Sequence, residues 1–257
     1  MKSLVINPQF VETHLVEFIR RQMQETGFKN LVLGLSGGLD SALVCFLCAR
    51  AVGPEHVLAV RMPYKSSSPA SFEDAQKVID ATGVKTITLP VTGMVDALLE
   101  QVGTVSSLRR GNMMARARMI ILFDQSAAFE ALVVGTSNKT EILLGYSTWY
   151  GDSACSFNPI GGLYKTQVRQ LSRAMGMPEA LLAKAPTADL WEGQTDEGDL
   201  GFTYDEVDRL LFALVEEGKS VEECIALGFG ESFVKKVVLR MQRFAFKRAL
   251  PPMAVLP

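Results

Sequence analysis

A chain of 257 residues with 48% hydrophobic and 21% charged side chains can bury a sizeable core, and its composition is neither that of a disordered nor of a fibrous protein. Its formal charge of −2 supplies no overall basic field, so nucleic acid is not expected as a main partner. No stretch approaches the roughly 18 apolar residues of a membrane span, and the opening MKSLVINPQF lacks the features of a secretory signal, so a cytoplasmic protein with no membrane partner is expected.

Short apolar or β-branched runs at residues 31–35, 57–62, 86–90 and 132–136 alternate with amphipathic stretches of helical length. The alternation predicts βαβ units, hence an α/β fold: one doubly wound, mostly parallel, Rossmann-like sheet flanked by helices, in a single domain over residues 1–257. Cys45 and Cys48 form a C-x-x-C, but inside the apolar helical run ALVCFLCARAV they read as small buried hydrophobes rather than a redox pair. Cys155 and Cys224 have no evident cysteine partners and His14 and His56 are the only histidines, so neither a zinc site nor a Cys-His nucleophile is expected. Ser71 followed by Asp74 resembles a capping box opening the helix after the second strand. The polar run RMPYKSSSPAS before it is a loop that either faces a site or is simply solvated. Residues 190–205 are acidic and Gly-rich without apolar period, which predicts a loop, either a lid or an ordinary surface connection. A final helix over about residues 231–247 should end before Pro251 and Pro252.

The sharpest local signal is Ser36-Gly37-Gly38-Leu39-Asp40-Ser41, directly after the first strand and at the start of an apolar helix. Gly37 and Gly38 permit tight curvature and close approach of a ligand, and the helix start offers unpaired N–H groups and a positive dipole end to an anion. Ser36 and Ser41 can add hydroxyl donors. Asp40 would repel a phosphate unless a cation stood between them, and Mg²⁺ is the oxygen-seeking ion that accompanies nucleoside triphosphates. Taken singly, Ser36 and Asp40 are also what an ordinary helix cap uses; the whole string after a strand points to ATP with Mg²⁺. It is neither a Walker A loop nor a G-x-G-x-x-G fingerprint.

The string resembles the pyrophosphate loop of the N-type ATP pyrophosphatases, which implies cleavage of ATP between its α and β phosphates and an adenylated intermediate. Further motifs, Val133-Val-Gly-Thr-Ser-Asn-Lys-Thr-Glu141, Tyr150-Gly-Asp152, Leu163-Tyr-Lys-Thr-Gln-Val168 and Lys184-Ala-Pro-Thr-Ala-Asp-Leu190, are similar in order and spacing to the ammonia-dependent NAD synthetase family. The resemblance spans most of the chain. It implies a carbon–nitrogen ligase that amidates deamido-NAD with ammonia, giving NAD, AMP and pyrophosphate through an acyl-adenylate. By position it assigns ATP contacts to Ser36, Gly37, Gly38, Leu39, Asp40, Ser41, Thr136, Lys165 and Thr187, magnesium to Asp40 and Glu141, deamido-NAD to Arg116 and Lys247, and the base that deprotonates ammonium to Asp152.

Elementary chemistry supports parts of this assignment. Glu141 follows a strand at the edge where α/β sheets collect ligands, and Lys165 supplies a compact charge suited to phosphate. Tyr146 is placed where an aromatic ring would stack on nicotinate, although such a tyrosine also serves as core. Three positions depart from the pattern, all on the dinucleotide side: Trp149 replaces an expected Lys, Ser156 an Asp and Phe246 a His. Residues 135–146 are closer to the synthetase domain of glutamine-dependent enzymes, whose glutaminase domain 257 residues leave no room for, so a separate glutaminase subunit is an open source of ammonia. The resemblance also implies a homodimer with the dinucleotide site near its interface. Two other readings are an adenylating ligase with a different acceptor and a nucleotide sensor without turnover.

Overall fold

The computed structural model describes residues 3–187, 189–191 and 193–254. In chain order its elements are α1 (Pro8–Thr26), β1 (Asn30–Gly34), α2 (Leu39–Val52), β2 (Val57–Arg61), α3 (Pro69–Thr82), β3 (Lys85–Thr88), α4 (Thr92–Val102), α5 (Ser107–Ala128), β4 (Ala131–Val133), α6 (Lys139–Leu144), α7 (Lys165–Ala174), α8 (Glu179–Ala183), α9 (Asp196–Leu200), α10 (Tyr204–Val215), α11 (Val221–Ala226) and α12 (Glu231–Arg243). The four strands form one parallel sheet in the order β3-β2-β1-β4. Its fold class is the one expected, and all four expected strands are present with ends within three residues of their predicted positions.

Strand alternation sorts the core. Leu31 and Leu33 of β1 pack with α1, α2 and α7 on one face, while Val32 between them joins Val60 and Val133 beneath α4 and α5 on the other. Both faces of β1 are thus fully buried, which is why the strand reads as an unbroken apolar run. Each such side chain contributes on the order of 1.5–3 kcal/mol by leaving water. A third cluster, centred on Leu144, Tyr164, Tyr204, Val207, Leu211 and Val234, joins α6 and α7 to the helices from α9 onwards. Cys45 and Cys48 are fully buried thiols, and burial pushes Cys45 up to about 12, which leaves it inert at neutral pH. Among the described residues no helix is long and apolar enough to cross a membrane.

Three local expectations are corrected. The helix after β2 starts at Pro69 behind Ser68, whose side chain makes no cap bond; proline pre-sets the first turn, so Ser71 lies within that turn and, with Asp74, binds Lys184 instead. Residues 190–205 are not all loop. Thr195 accepts the Gly198 N–H to open α9, and a reciprocal Thr203–Glu206 capping box opens α10. The last α-helix stops at Arg243, and residues 245–248 form a separate 3₁₀ turn.

Candidate active site

Strand order reverses at β1: the chain proceeds outward through β2 and β3, then returns to place β4 on the other side. The loops leaving the C-terminal ends of β1 and β4 therefore diverge and open a crevice. A cleft of about 1030 Å³ occupies it. Its floor is the loop after β1, where Gly37 has φ of 77° and a Cβ would sit 2.0 Å from the Ser71 carbonyl oxygen, so only glycine fits. Ser36 and Ser41 hydroxyls are 3.1 Å apart, and Ser41 also donates to the Gly38 carbonyl at 3.0 Å. No side chain caps α2, and while the Gly38 N–H donates to the Ser36 hydroxyl at 3.2 Å, the first turn of α2 from Leu39 to Ser41 presents its backbone donors at the cleft.

Asp40, in the first turn of α2, is ion-paired with the Lys165 ammonium and accepts an Asn138 amide N–H at 3.2 Å. Glu141 Oε1 lies 4.0 Å from the same ammonium, while its Oε2 accepts the Asn138 backbone N–H at 3.2 Å in a capping box that opens α6. Burial, then the Asp40 charge, raises the Glu141 pKa well above the ordinary carboxylate value. For Lys165 burial works against the charged form, but Asp40 and Glu141 outweigh it and hold the ammonium protonated. A third carboxylate, Asp196 at the start of α9, is buried beside them and accepts the Tyr204 hydroxyl at 3.0 Å and the Tyr146 hydroxyl at 3.2 Å. Burial, the first cause, raises its pKa despite Lys165. Among the described residues no three His, Cys, Asp or Glu side chains converge on one metal position. Two carboxylates with a cation between them do fit Mg²⁺, which normally takes one or two protein carboxylates and fills its remaining positions with water and phosphate oxygens.

Thr136 and Thr187 both line the cleft. Thr187 belongs to a strap fastened by Lys184, which donates to the Gly37 carbonyl at 3.3 Å, the Ser71 hydroxyl at 3.2 Å and Asp74 at 3.0 Å. Further along, Asp189, with φ of 50°, accepts the Ser68 N–H at 3.1 Å.

Asp152 also lines the cleft and accepts the Thr148 N–H at 2.7 Å. Burial raises its pKa above the ordinary carboxylate value. Lys247 lines the cleft too, donating to the carbonyls of Gly145 at 2.8 Å and Ser147 at 2.5 Å, and burial lowers its pKa. Arg116 is not among the residues that line the cleft: it is exposed on α5 and donates to the Trp149 carbonyl at 3.2 Å, while Arg118, two residues on, lines the cleft. Trp149 and Phe246, two of the departing positions, meet edge to face at 5.0 Å, and Trp149 stacks on Tyr150 at 4.5 Å. Ser156 accepts the Val133 N–H at 3.2 Å. Tyr146 turns its hydroxyl to Asp196 and Asp199. Sequence reasoning thus missed Lys184, Asp196 and Arg118; Lys184 heads one of the motifs already noted, whereas Asp196 lies in the run taken for loop.

A family model described as NAD synthase matches residues 11–251. The NH3-dependent NAD+ synthetase of Fusobacterium nucleatum subsp. nucleatum is 51% identical over 254 residues, covering 99% of this chain and 98% of that one. Among solved structures, the NMN synthetase from Francisella tularensis superposes with a TM-score of 0.87 at 28% identity, covering 98% of this chain and 100% of that one. The NH3-dependent NAD synthetase from Campylobacter jejuni subsp. jejuni, in complex with the nitrate ion, gives 0.84 at 34% identity with the same coverage.

Proposed function

Because the chain belongs to the NAD synthase family, a family of ligases that form a carbon–nitrogen bond, we propose that it amidates deamido-NAD with ammonia at the expense of ATP. The observation that carries this reading is the pairing of an uncapped Gly-rich turn with Asp40, Lys165 and Glu141 in one cleft that Asp152 and Lys247 also line. The turn and its charges suit a triphosphate, and a cleft of about 1030 Å³ leaves room for a second ligand. The whole chain acts as one catalytic domain in this reading.

A carboxylate repels nucleophiles, so amide formation needs activation. In the proposed course the nicotinate carboxylate attacks the α-phosphorus and pyrophosphate departs; ammonia then attacks the acyl carbon and AMP leaves. The Ser36–Ser41 turn, with Thr136, Lys165 and Thr187, holds ATP, its backbone N–H groups receiving the departing charge. Asp40 and Glu141 are the residues that would hold Mg²⁺, which supplies charge neutralisation on the phosphates when bound. Asp152 takes the proton from ammonium. Lys247 orients the dinucleotide; Arg116, being exposed, can contribute only from the cleft mouth or across a subunit boundary.

Formation of AMP and NAD in equal amounts from ATP, Mg²⁺, deamido-NAD and ammonium, lost in Asp40→Ala, is the expected result. AMP without NAD would defeat the acceptor and keep the activation step. The likeness to the NMN synthetase supports one other acceptor class, a pyridine mononucleotide acid, and a side-by-side kcat/KM comparison of the two acids decides between them. A protein that binds ATP without consuming it under every acceptor would be a sensor. Glutamine in place of ammonium, with and without an added glutaminase, tests whether a separate subunit delivers the nitrogen. We place the protein in the cytoplasm as a homodimer, as the family resemblance implies; α4 and α5 pack on one another and expose Met94, Leu98 and Val102 and Ile120 and Phe123, apolar side chains that a partner would cover.

A further inference from the structure

We propose that Asp208, on α10 and outside the cleft, is the positioning residue that fixes Glu141 and Lys165 relative to one another. Its side chain is fully buried. One carboxylate oxygen accepts the Thr140 hydroxyl at 2.6 Å and the other accepts the Thr166 backbone N–H at 2.8 Å. The Thr140 hydroxyl oxygen in turn accepts the Lys165 backbone N–H at 3.0 Å. Three hydrogen bonds therefore join the first turn of α6 to the first turn of α7, through the residue next to Glu141 and through Lys165 and its neighbour. The Lys139 N–H also donates to the Leu163 carbonyl at 2.8 Å, and Glu216 binds both Lys139 and the Tyr164 hydroxyl, but these ties lie before Thr140 and Lys165, so the Asp208 bonds are the ones that reach the residues beside Glu141 and Lys165 themselves.

Burying a carboxylate is costly, and an apolar residue of similar size would hold α10 in the third core cluster at least as well. What the charge adds is direction: two acceptors aimed at two donors on different helices, close to helix N-termini whose dipoles favour it. Asp208 is separated in sequence by 68 residues from Thr140 and by 42 from Thr166, so the tie is tertiary and has no local purpose. This inference rests on the reading of Asp40, Glu141 and Lys165 as the nucleotide end of the site.

Asp208→Asn keeps the volume and replaces one acceptor by a donor. With an unchanged circular dichroism spectrum, it should raise the Kd for Mg·ATP, measured by titration calorimetry without acceptor, about tenfold, and lower kcat by about ten- to a hundredfold, the range seen when a supporting partner of a ligand is lost. KM for the acceptor should stay within about twofold. Thr140→Val should reproduce these changes and Thr140→Ser, which keeps the hydroxyl, should restore wild-type values. Mg·ATP binding and kcat at wild-type level in Asp208→Asn and Thr140→Val would overturn the proposal, as would a lowered melting temperature with unchanged kinetics. Should Asp208→Asn not fold, the Thr140 pair decides alone. A wild-type protein that binds Mg·ATP but makes no NAD would defeat the acceptor reading and leave this test standing, whereas failure to bind Mg·ATP defeats both.

Discussion

Lys165 shows how one side chain serves packing and chemistry together. Its ammonium is 4% exposed and its partner Asp40 17%, so removing either leaves a largely buried charge without its counterpart. Lys165→Met should lower the unfolding free energy by about 3–5 kcal/mol, the usual cost of breaking a buried pair. The double variant Asp40→Asn/Lys165→Met should regain part of that, and both should be inactive; a urea titration showing the single variant as stable as wild type would refute the pairing. Asp152 gives a pH test. Burial raises its pKa, and a base acts only when deprotonated, so at fixed ammonium, below the pKa of ammonium, kcat should climb as pH rises through that raised value and then level. Asp152→Asn should lose this limb and about 10²-fold or more in rate; unaltered turnover at limiting ammonia would remove the role. That Asp40, Glu141 and Lys165 belong together is legible in the sequence because each stands in a dense motif, although Glu141 also serves as the carboxylate of the capping box that opens α6. Arg116 and Arg118 are not separable that way, since two arginines two positions apart on a helix face different directions and only packing decides which one enters the cleft.

At the level of elements, β1, β2 and β4 are legible because burial writes apolar runs, β3, which is largely exposed at the sheet edge, only because of its β-branched residues, and the loop after β1 because glycine at a left-handed position leaves a recognisable mark. The stretch around α9 is not, because five residues held by a Thr195 cap and a Gly201 stop carry no apolar period of their own; their order comes from Asp196 binding Tyr146 and Tyr204. The strap at Lys184 is likewise tertiary. Lys184→Met should free it from Gly37, Ser71 and Asp74 while leaving the sheet intact, raising KM for ATP about tenfold, the effect of losing roughly 1.4 kcal/mol of binding, with kcat and melting temperature little changed; an unaltered KM would mean that the strap holds its place without the lysine. Gly37→Ala tests the loop. Strain at the positive φ costs about 1–3 kcal/mol, the contact with the Ser71 carbonyl adds to it, and calorimetry should find Mg·ATP binding abolished.

For the molecule as a whole, three clusters of apolar residues are arranged so that the cleft lies where they meet, with the sheet below and the C-terminal helices at one side. The two sheet-facing clusters follow from alternation and helical period; the third does not, because it is assembled from short helices whose partners are far away in sequence. The α4–α5 surface gives a prediction at this scale: Ile120→Glu with Leu98→Lys should convert a dimer to a monomer by light scattering, and a monomeric wild type would set the dimer aside. The C-terminal residues carry a further consequence. Arg248 donates to the Leu143 carbonyl at 2.7 Å, Arg240 to Leu144 at 3.0 Å and Lys247 to Gly145 and Ser147, so cations from about a hundred residues downstream close the open carbonyls at the end of α6. A helix of six residues is too short to stand alone, so the C-terminal cations act as its remote cap, and the stretch that carries Glu141 borrows its order from the far side of the sequence.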